Sequence, residues 1–269
     1  MNPNKDLWEK GDFTKIAVSM RQSGEELVAA LDVHADMEIL DLGCGDGTTA
    51  LPAARLGANV LGIDIAANLV AAGNERAADA GLSNLRFEQG DASDLHGLAD
   101  DRFDLVISMF GAMFAPRPFD VAREMMRVTR PGGRIAMGNW IPGDPTLVAQ
   151  VLRISAAYTP TPPEGFISPI RWGIEEDVQE RFGAAGARPG SIECERASYV
   201  FRHQGSPDDF LDTFRRYYGP TMNAFDAAER AGRAHELEAE LRSLFKAQNQ
   251  SDATSTVIPA TYLKVIVTK

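Results

Sequence analysis

The stretch Glu38-Ile39-Leu40-Asp41-Leu42-Gly43-Cys44-Gly45-Asp46-Gly47-Thr48-Thr49 decides how the rest of the chain reads. An apolar run (Ile39, Leu40, Leu42) ends in glycines on alternate positions. Two threonines and a helix-like run follow, with Ala50, Leu51, Ala53, Ala54 and Leu56. That pattern predicts a strand, a tight turn and a helix N-terminus. Glycine lets backbone approach a ligand with no Cβ in the way, and the first turn of a helix offers unpaired N–H groups. A nucleotide-like ligand at the end of a first parallel strand is the expectation.

Outward from this turn, strands and helices alternate. A helix is expected over about 49–56, closed by Gly57, then a second strand over 59–64 and a helix over 66–80 closed by Gly81. Strands follow at 85–89 and 103–108, a helix at 118–129, a turn at Arg130-Pro131-Gly132-Gly133, and a fifth strand at 134–139. Such alternation predicts an α/β fold with a doubly wound parallel sheet, whose ligands sit at the carboxyl ends of the strands. Residues 1–36 read as a helical arm, 37–141 as the nucleotide-binding core, and 142–269 as the segment that completes the sheet. In that last part, helices are expected at about 147–157, 175–185, 207–217 and 226–248, and strands at 191–201 and 262–267. The proline-rich run from Thr159 to Gly165 can be neither regular helix nor central strand.

Composition narrows the function classes. The chain has 269 residues and a net charge of −11, an acidic balance that argues against a general phosphate-backbone binder. Cys44 and Cys194 form no disulfide framework, and no thiol cluster has metal-ligand spacing, so no metal is expected. Neither a signal-like N-terminus nor a membrane-length apolar run is present, which predicts a cytoplasmic protein with no membrane contact.

Two ligands compete for the turn. A nicotinamide-dinucleotide fingerprint wants G-x-G-x-x-G around an anionic pyrophosphate. Here Thr48 holds the place of the third fingerprint glycine, and Asp41 sets a carboxylate beside the turn. That carboxylate disfavours a pyrophosphate and favours a cationic head such as the ammonium and sulfonium of S-adenosylmethionine.

With these residues in view, Asp41-Leu42-Gly43-Cys44-Gly45-Asp46-Gly47 resembles the first motif of the class I S-adenosylmethionine-dependent methyltransferases. Gly62-Ile63-Asp64-Ile65 is similar to the end of their second strand, Gly90-Asp91-Ala92 to their third motif, and Ser108-Met109-Phe110 to the end of their fourth strand. Arg127 to Arg134 is similar to the turn before strand five. The resemblance spans about residues 36–140. Trp8, Gly11-Asp12-Phe13, Phe110 to Pro116 and Tyr217 to Thr221 further resemble a bacterial small-molecule subgroup, distantly related to the ubiquinone/menaquinone C-methyltransferases. The chain departs from those relatives after strand four, where Gly111-Ala112-Met113-Phe114-Ala115-Pro116 replaces their polar motif.

The resemblance implies a Rossmann-like, mostly parallel seven-stranded sheet with an antiparallel last strand and helical cover insertions at about 142–174 and 206–250. It implies Asp41, Gly43, Gly45, Asp64, Ile65, Asp91, Ala92 and Ser108 as cofactor residues. Asp64 would hold the ribose hydroxyls, Ile65 would lie against the adenine, and Asp91 and the Ala92 amide would meet the adenine edge. The cofactor is then S-adenosyl-L-methionine and the product S-adenosyl-L-homocysteine. The expected acceptor is a small, partly hydrophobic molecule, methylated mainly through proximity and in-line orientation. Met113, Phe114, Trp140, Trp172 and Tyr218 are candidates for its pocket, although aromatic residues at such spacing are more often plain core. His96, His203 and Tyr218 are weak catalytic candidates against the ordinary reading of loop or surface side chains. The partner expected is a small molecule and not nucleic acid, with a homodimer allowed. A cofactor-binding regulatory homologue without transferase activity and an NAD-dependent oxidoreductase are the alternatives.

Overall fold

The computed structural model describes residues 5–269. The first four residues of the expected arm lie outside the described residues. Seven strands form one sheet: β1 (Glu38–Leu42), β2 (Asn59–Asp64), β3 (Leu85–Gln89), β4 (Phe103–Met109), β5 (Thr129–Trp140), β6 (Ile192–His203) and β7 (Thr256–Thr268). Their order is β3-β2-β1-β4-β5-β7-β6. Neighbours from β3 through β5 pair in parallel, and β7 runs antiparallel to both β5 and β6. Chain order reverses between β1 and β4, and a crevice opens at such a switch point.

Among the described residues, the α-helices are α1 (Lys5–Lys10), α2 (Thr14–Ala17), α3 (Arg21–Ala29), α4 (Ala50–Arg55), α5 (Ala67–Asp79), α6 (Pro118–Val128), α7 (Leu147–Ala156), α8 (Glu175–Ala184), α9 (Pro207–Tyr217), α10 (Gly219–Arg230) and α11 (Ala234–Gln248). Side chains of successive strand residues go to opposite sheet faces. Ile39, Leu105, Ile107 and Ala136 pack with residues of α3 and α4, whereas Leu40, Leu42, Val106, Ile135 and Met137 pack with α6 and α8. Both faces are covered, so the central strands read as nearly continuous apolar runs. Edge strand β6 instead carries Glu193, Glu195, Arg196 and Arg202, charges that disfavour pairing with another chain.

Three expectations change. Arg130-Pro131-Gly132-Gly133 is no turn before the strand: β5 begins at Thr129, and a register irregularity against β4 takes up the extra residues. Gly132 adopts φ +78° there, and its N–H reaches the Lys269 carbonyl at 2.9 Å. The single helix expected at 226–248 is two, because Gly232 at φ +69° ends α10 with the Arg233 N–H on the Ala228 carbonyl. The last strand starts six residues earlier than its apolar core, at Thr256 rather than Tyr262.

α5 packs on β2 and β3, whereas α7, α9, α10 and α11 pack on one another as a cover. α9 begins with a reciprocal cap between Ser206 and Asp209. It breaks at Tyr218, whose extended backbone (φ −93°, ψ 106°) starts α10 at Gly219-Pro220. The N-terminal arm is bolted onto this elbow. A Cβ at Gly11 would sit 2.2 Å from the Tyr217 carbonyl, and one at Gly219 would sit 2.4 Å from that of Leu7. Lys10 reaches Asn223 and Asp226 at 2.7 and 2.5 Å, and Glu9 accepts the Ala67 N–H at the start of α5. α1 therefore bridges the sheet side and the cover.

Gly43 and Gly111, after β1 and β4, form the tightest backbone approach at the switch point. A Cβ on Gly111 would lie 2.3 Å from the Gly43 carbonyl oxygen. Gly111→Ala is expected to cost about 1–3 kcal/mol through overpacking, read as a lower denaturation midpoint. An unchanged midpoint would show that the two turns separate freely.

Candidate functional site

The turn after β1 uses three left-handed residues, Gly43 (φ +69°), Gly45 (φ +56°) and Gly47 (φ +89°), a conformation that favours glycine. The N–H groups of Gly43 and Cys44 donate to the Ile63 carbonyl at 2.7 and 3.1 Å, tying the turn to β2. A Cβ on Gly45 would meet only Phe13, at 3.8 Å. Open space above Gly45 is the floor of a cavity of about 100 Å³ that opens to solvent. Its walls come from the β1 turn, from Ile63, Asp64 and Ile65, from Gly90 and Ala92, and from Met109 to Ala112 with Phe114 and Ala115 after β4. Trp8, Phe13, Met20 and Tyr199 close it from the arm and β6.

Asp64 ends β2 on the cavity wall. Its Oδ2 accepts the Gly45 N–H at 2.8 Å and its Oδ1 the Ala66 N–H at 2.9 Å. Burial, the largest effect, pushes its pKa up against those hydrogen bonds. Each oxygen keeps a second lone pair, so a fixed carboxylate edge remains able to accept from two adjacent hydroxyls.

Asp41 is placed differently from the expectation of direct contact. It does not line the cavity; its Oδ2 accepts from the Thr49 hydroxyl at 2.5 Å, and Thr49 is the residue on the wall. Burial raises the Asp41 pKa to about 7, with the charge of Asp64 adding to the rise and the Thr49 bond opposing it. The Asp91 side chain is likewise off the wall. Its Oδ1 accepts from the Ser93 N–H and hydroxyl at 2.8 and 2.7 Å, and its Oδ2 stands 3.9 Å from Arg117. Its neighbours Gly90 and Ala92 face the cavity. Ser108 is a brace: its hydroxyl donates to the Leu42 carbonyl at 2.6 Å and accepts the Ala112 N–H at 3.0 Å, holding the ends of β1 and β4 in register.

A second, much smaller cavity of about 30 Å³ adjoins the first and shares Trp8, Phe13, Met20, Phe110 and Phe114 with it. Trp140, Val148, Phe201, Phe214 and Tyr218 are among its other walls. Phe110 stacks on Trp140 at 3.7 Å and 7°, and Trp8 meets the Phe114 ring edge-on at 5.0 Å. Phe110 holds φ +62°, an uncommon conformation for a bulky residue and one that concentrates at functional sites. Of the pocket candidates, Phe114, Trp140 and Tyr218 come together here. Met113 and Trp172 do not: Met113 is buried in the core, and Trp172 packs on Phe182 and under the Arg181 guanidinium.

The two histidine candidates line neither cavity. His96 is exposed, with its Nδ1 2.8 Å from Asp94. His203 stacks on Phe210, and burial lowers its pKa. Among the described residues, no group of three or more His, Cys, Asp or Glu side chains could hold a metal ion. Thr49, Met20 and Tyr199 are wall residues that sequence reasoning did not single out. Thr48-Thr49 at the helix start was a signal available for the first, whereas nothing local marks the other two.

Residues 40–137 match the methyltransferase domain family. An uncharacterized protein of Mycobacterium tuberculosis is 34% identical over 223 residues, covering 82% of this chain and 79% of that protein. A demethylmenaquinone methyltransferase of Paenarthrobacter aurescens is 33% identical over 138 residues, covering 50% of this chain and 52% of the relative. Among solved structures, the YcgJ protein of Bacillus subtilis superposes with a TM-score of 0.61 at 18% identity, covering 92% of this chain and 98% of that one. The chain carries a methyltransferase domain and belongs to the methyltransferase family together with that mycobacterial protein.

The raised pKa of Asp41 makes stability depend on pH. Between the ordinary aspartate value of 3.8 and about 7, the unfolded chain has released this proton and the folded chain retains it. Folded stability therefore falls as pH rises through that window. Asp41→Asn keeps an oxygen for the Thr49 bond and removes the titration. It is expected to match wild type near pH 4 and to exceed it above about pH 7, on the order of 4 kcal/mol at most, measured as denaturation free energy against pH. Parallel curves would contradict the assignment.

Proposed function

We propose that the enzyme transfers the methyl group of S-adenosylmethionine to a small, partly hydrophobic acceptor, with proximity and in-line orientation as the main source of rate. One observation carries this reading. A carboxylate edge held by two amides stands beside an open glycine floor, in a cavity that shares a wall of aromatic rings with a second, apolar cavity.

The residues fit the cofactor. Open space over Gly45 admits its backbone-hugging part, and Asp64 has lone pairs for a ribose diol. Ile65 and Ala92 offer apolar contact and an amide for the adenine, with Asp91 and Ser93 fixing that loop. Asp41 acts through Thr49 rather than by contact, and Ser108 holds the floor. S-adenosylmethionine supplies an activated methyl group on a positively charged sulfur, and S-adenosylhomocysteine is released. What the chain contributes is alignment, worth about 7–11 kcal/mol where two reactants are held in near-attack geometry. It also excludes water, through Trp8, Phe13 and Phe114. No metal enters this scheme.

In the same reading, 37–141 is the cofactor unit and 1–36 a cover. The segments near 142–174 and 206–250 enclose the acceptor. The net charge of −11 disfavours nucleic acid as that acceptor. No helix among the described residues is long and apolar enough to cross a membrane.

S-adenosylhomocysteine is expected to raise the melting temperature, whereas NADH is not. Asp64→Ala should weaken S-adenosylhomocysteine binding about ten-fold or more, since a hydrogen bond to a charged group contributes roughly 1.5–3 kcal/mol. Calorimetric titration checks both. Unchanged affinity in the variant would mean that the ribose lies elsewhere, and a shift with NADH alone would overturn the cofactor.

A further inference from the structure

The loop after β3 supplies Gly90 and Ala92 to the wall of the larger cavity, and one side of α6 grips that loop. Arg117, at the entry to α6, donates to the Ser93 hydroxyl from Nε at 3.3 Å and from Nη2 at 3.0 Å. Glu124 accepts the Leu95 N–H at 2.7 Å, and Arg127 donates to the Leu95 and Leu98 carbonyls at 2.8 Å. The spacing 117, 124 and 127 falls on one side of a helix with 3.6 residues per turn. Glu124 and Arg127 also pair with each other at 2.7 Å and brace the far part of the loop. Arg117 alone of the three reaches the residue next to the cavity wall.

Its contact continues inward. The Ser93 hydroxyl donates to Asp91 Oδ1 at 2.7 Å, and the Ser93 N–H donates to the same oxygen at 2.8 Å. A hydroxyl has one proton and two lone pairs. Two guanidinium donors occupy the lone pairs, so the proton is directed at Asp91. The Asp91 carbonyl accepts the Asp94 N–H at 2.9 Å. That peptide is planar and trans, which puts the Ala92 N–H on the side away from this bond. Among the described residues the Ala92 N–H has no hydrogen-bond partner. A free amide on the cavity wall is therefore fixed from both ends of one short turn.

Arg117 is itself held. It stands between Pro116 and Pro118, and a following proline keeps a residue out of the helical region; its backbone is at φ −118° and ψ 74°. Asp120 lies 3.6 Å from its Nε and Asp91 Oδ2 lies 3.9 Å from its Nη2. The side chain is 55% exposed, so the core does not depend on it for packing. The segment that Arg117 closes also carries Phe110 and Phe114, and through Ser93 it ties that side of the cavity to the loop after β3.

Resting on the methyl-transfer reading, we propose that Arg117 is a positioning residue for the adenine ring of S-adenosylmethionine, acting through Ser93 and Asp91 to aim the Ala92 amide. Adenine presents a bare nitrogen at N1, an acceptor that a fixed N–H donor matches. Hypoxanthine carries a proton at N1, so donor meets donor. A rigid turn tells the two bases apart, because the wrong one leaves polar groups unpaired. A loose turn can rotate its amide away and lose that distinction. Arg117 acts on the choice of base and touches neither the sulfur nor the acceptor.

Calorimetric titration of the full-length protein compares S-adenosylhomocysteine with S-inosylhomocysteine, its deaminated analogue. The wild type is expected to bind the adenine compound about ten-fold or more tightly. Arg117→Ala is expected to lose about five-fold in affinity for S-adenosylhomocysteine, with affinity for the inosine analogue unchanged. Ser93→Ala, which keeps the N–H bond to Asp91, should do the same. The double variant should lose no more than either single one, since the two residues act in series. Equal losses for both ligands, additive losses in the double variant, or unchanged S-adenosylhomocysteine affinity in Arg117→Ala overturns the proposal. A wild type that binds both ligands equally overturns this inference alone, whereas one that binds neither overturns the methyl-transfer reading and the inference with it.

Discussion

The close crossing of Gly43 and Gly111 is the constraint on which the site depends. Two backbone turns, after β1 and β4, meet where a single methyl group would intrude on carbonyl oxygen or Cα. That approach brings the end of β1 against the segment that carries Phe110 and Phe114. Ser108 locks it by bonding the Leu42 carbonyl and the Ala112 N–H together. Without this contact, the glycine floor and the aromatic partition would belong to separate parts of the sheet. With it, a polar cavity and an apolar one share a wall.

Electrostatics divides the work between the two cavities. Carboxylates crowd the first: Asp64 on the wall, Asp41 behind Thr49, and Asp46 between two arginines. Burial raises the pKa of both Asp41 and Asp64, a cost that a cationic ligand would offset. Among the described residues, the walls of the second cavity carry rings and no charged side chain. A sulfonium at their boundary would stand between a negative region and an apolar one. That arrangement favours a reaction in which positive charge disappears.

Much of this was legible in the sequence, for a physical reason. Parallel strands buried on both faces leave continuous apolar runs, and tight turns leave glycines, so the core from Ile39 to Asn139 could be read in order. Asp64 stood out as a carboxylate ending a strand at the switch point, and the structure places it on the cavity wall. What failed was set by three-dimensional contact. Asp41 and Ser108 have suitable chemistry, yet neighbours eight and four residues along the chain, Thr49 and Ala112, occupy their polar atoms. Met113 and Trp172 have the same apolar character as Phe114 and Trp140, and only packing decides which rings face a cavity. Gly232 ends α10, but the helical periodicity on either side of it masked the break.

The most direct measurement is a crystal structure with S-adenosylhomocysteine. The account predicts the ribose on Asp64, the adenine beside Ile65 and Ala92, and the sulfur facing the partition of Phe110 and Phe114, toward Tyr218. A sulfur pointing away from that partition, or an adenosine bound elsewhere than over the Gly45 floor, would contradict it.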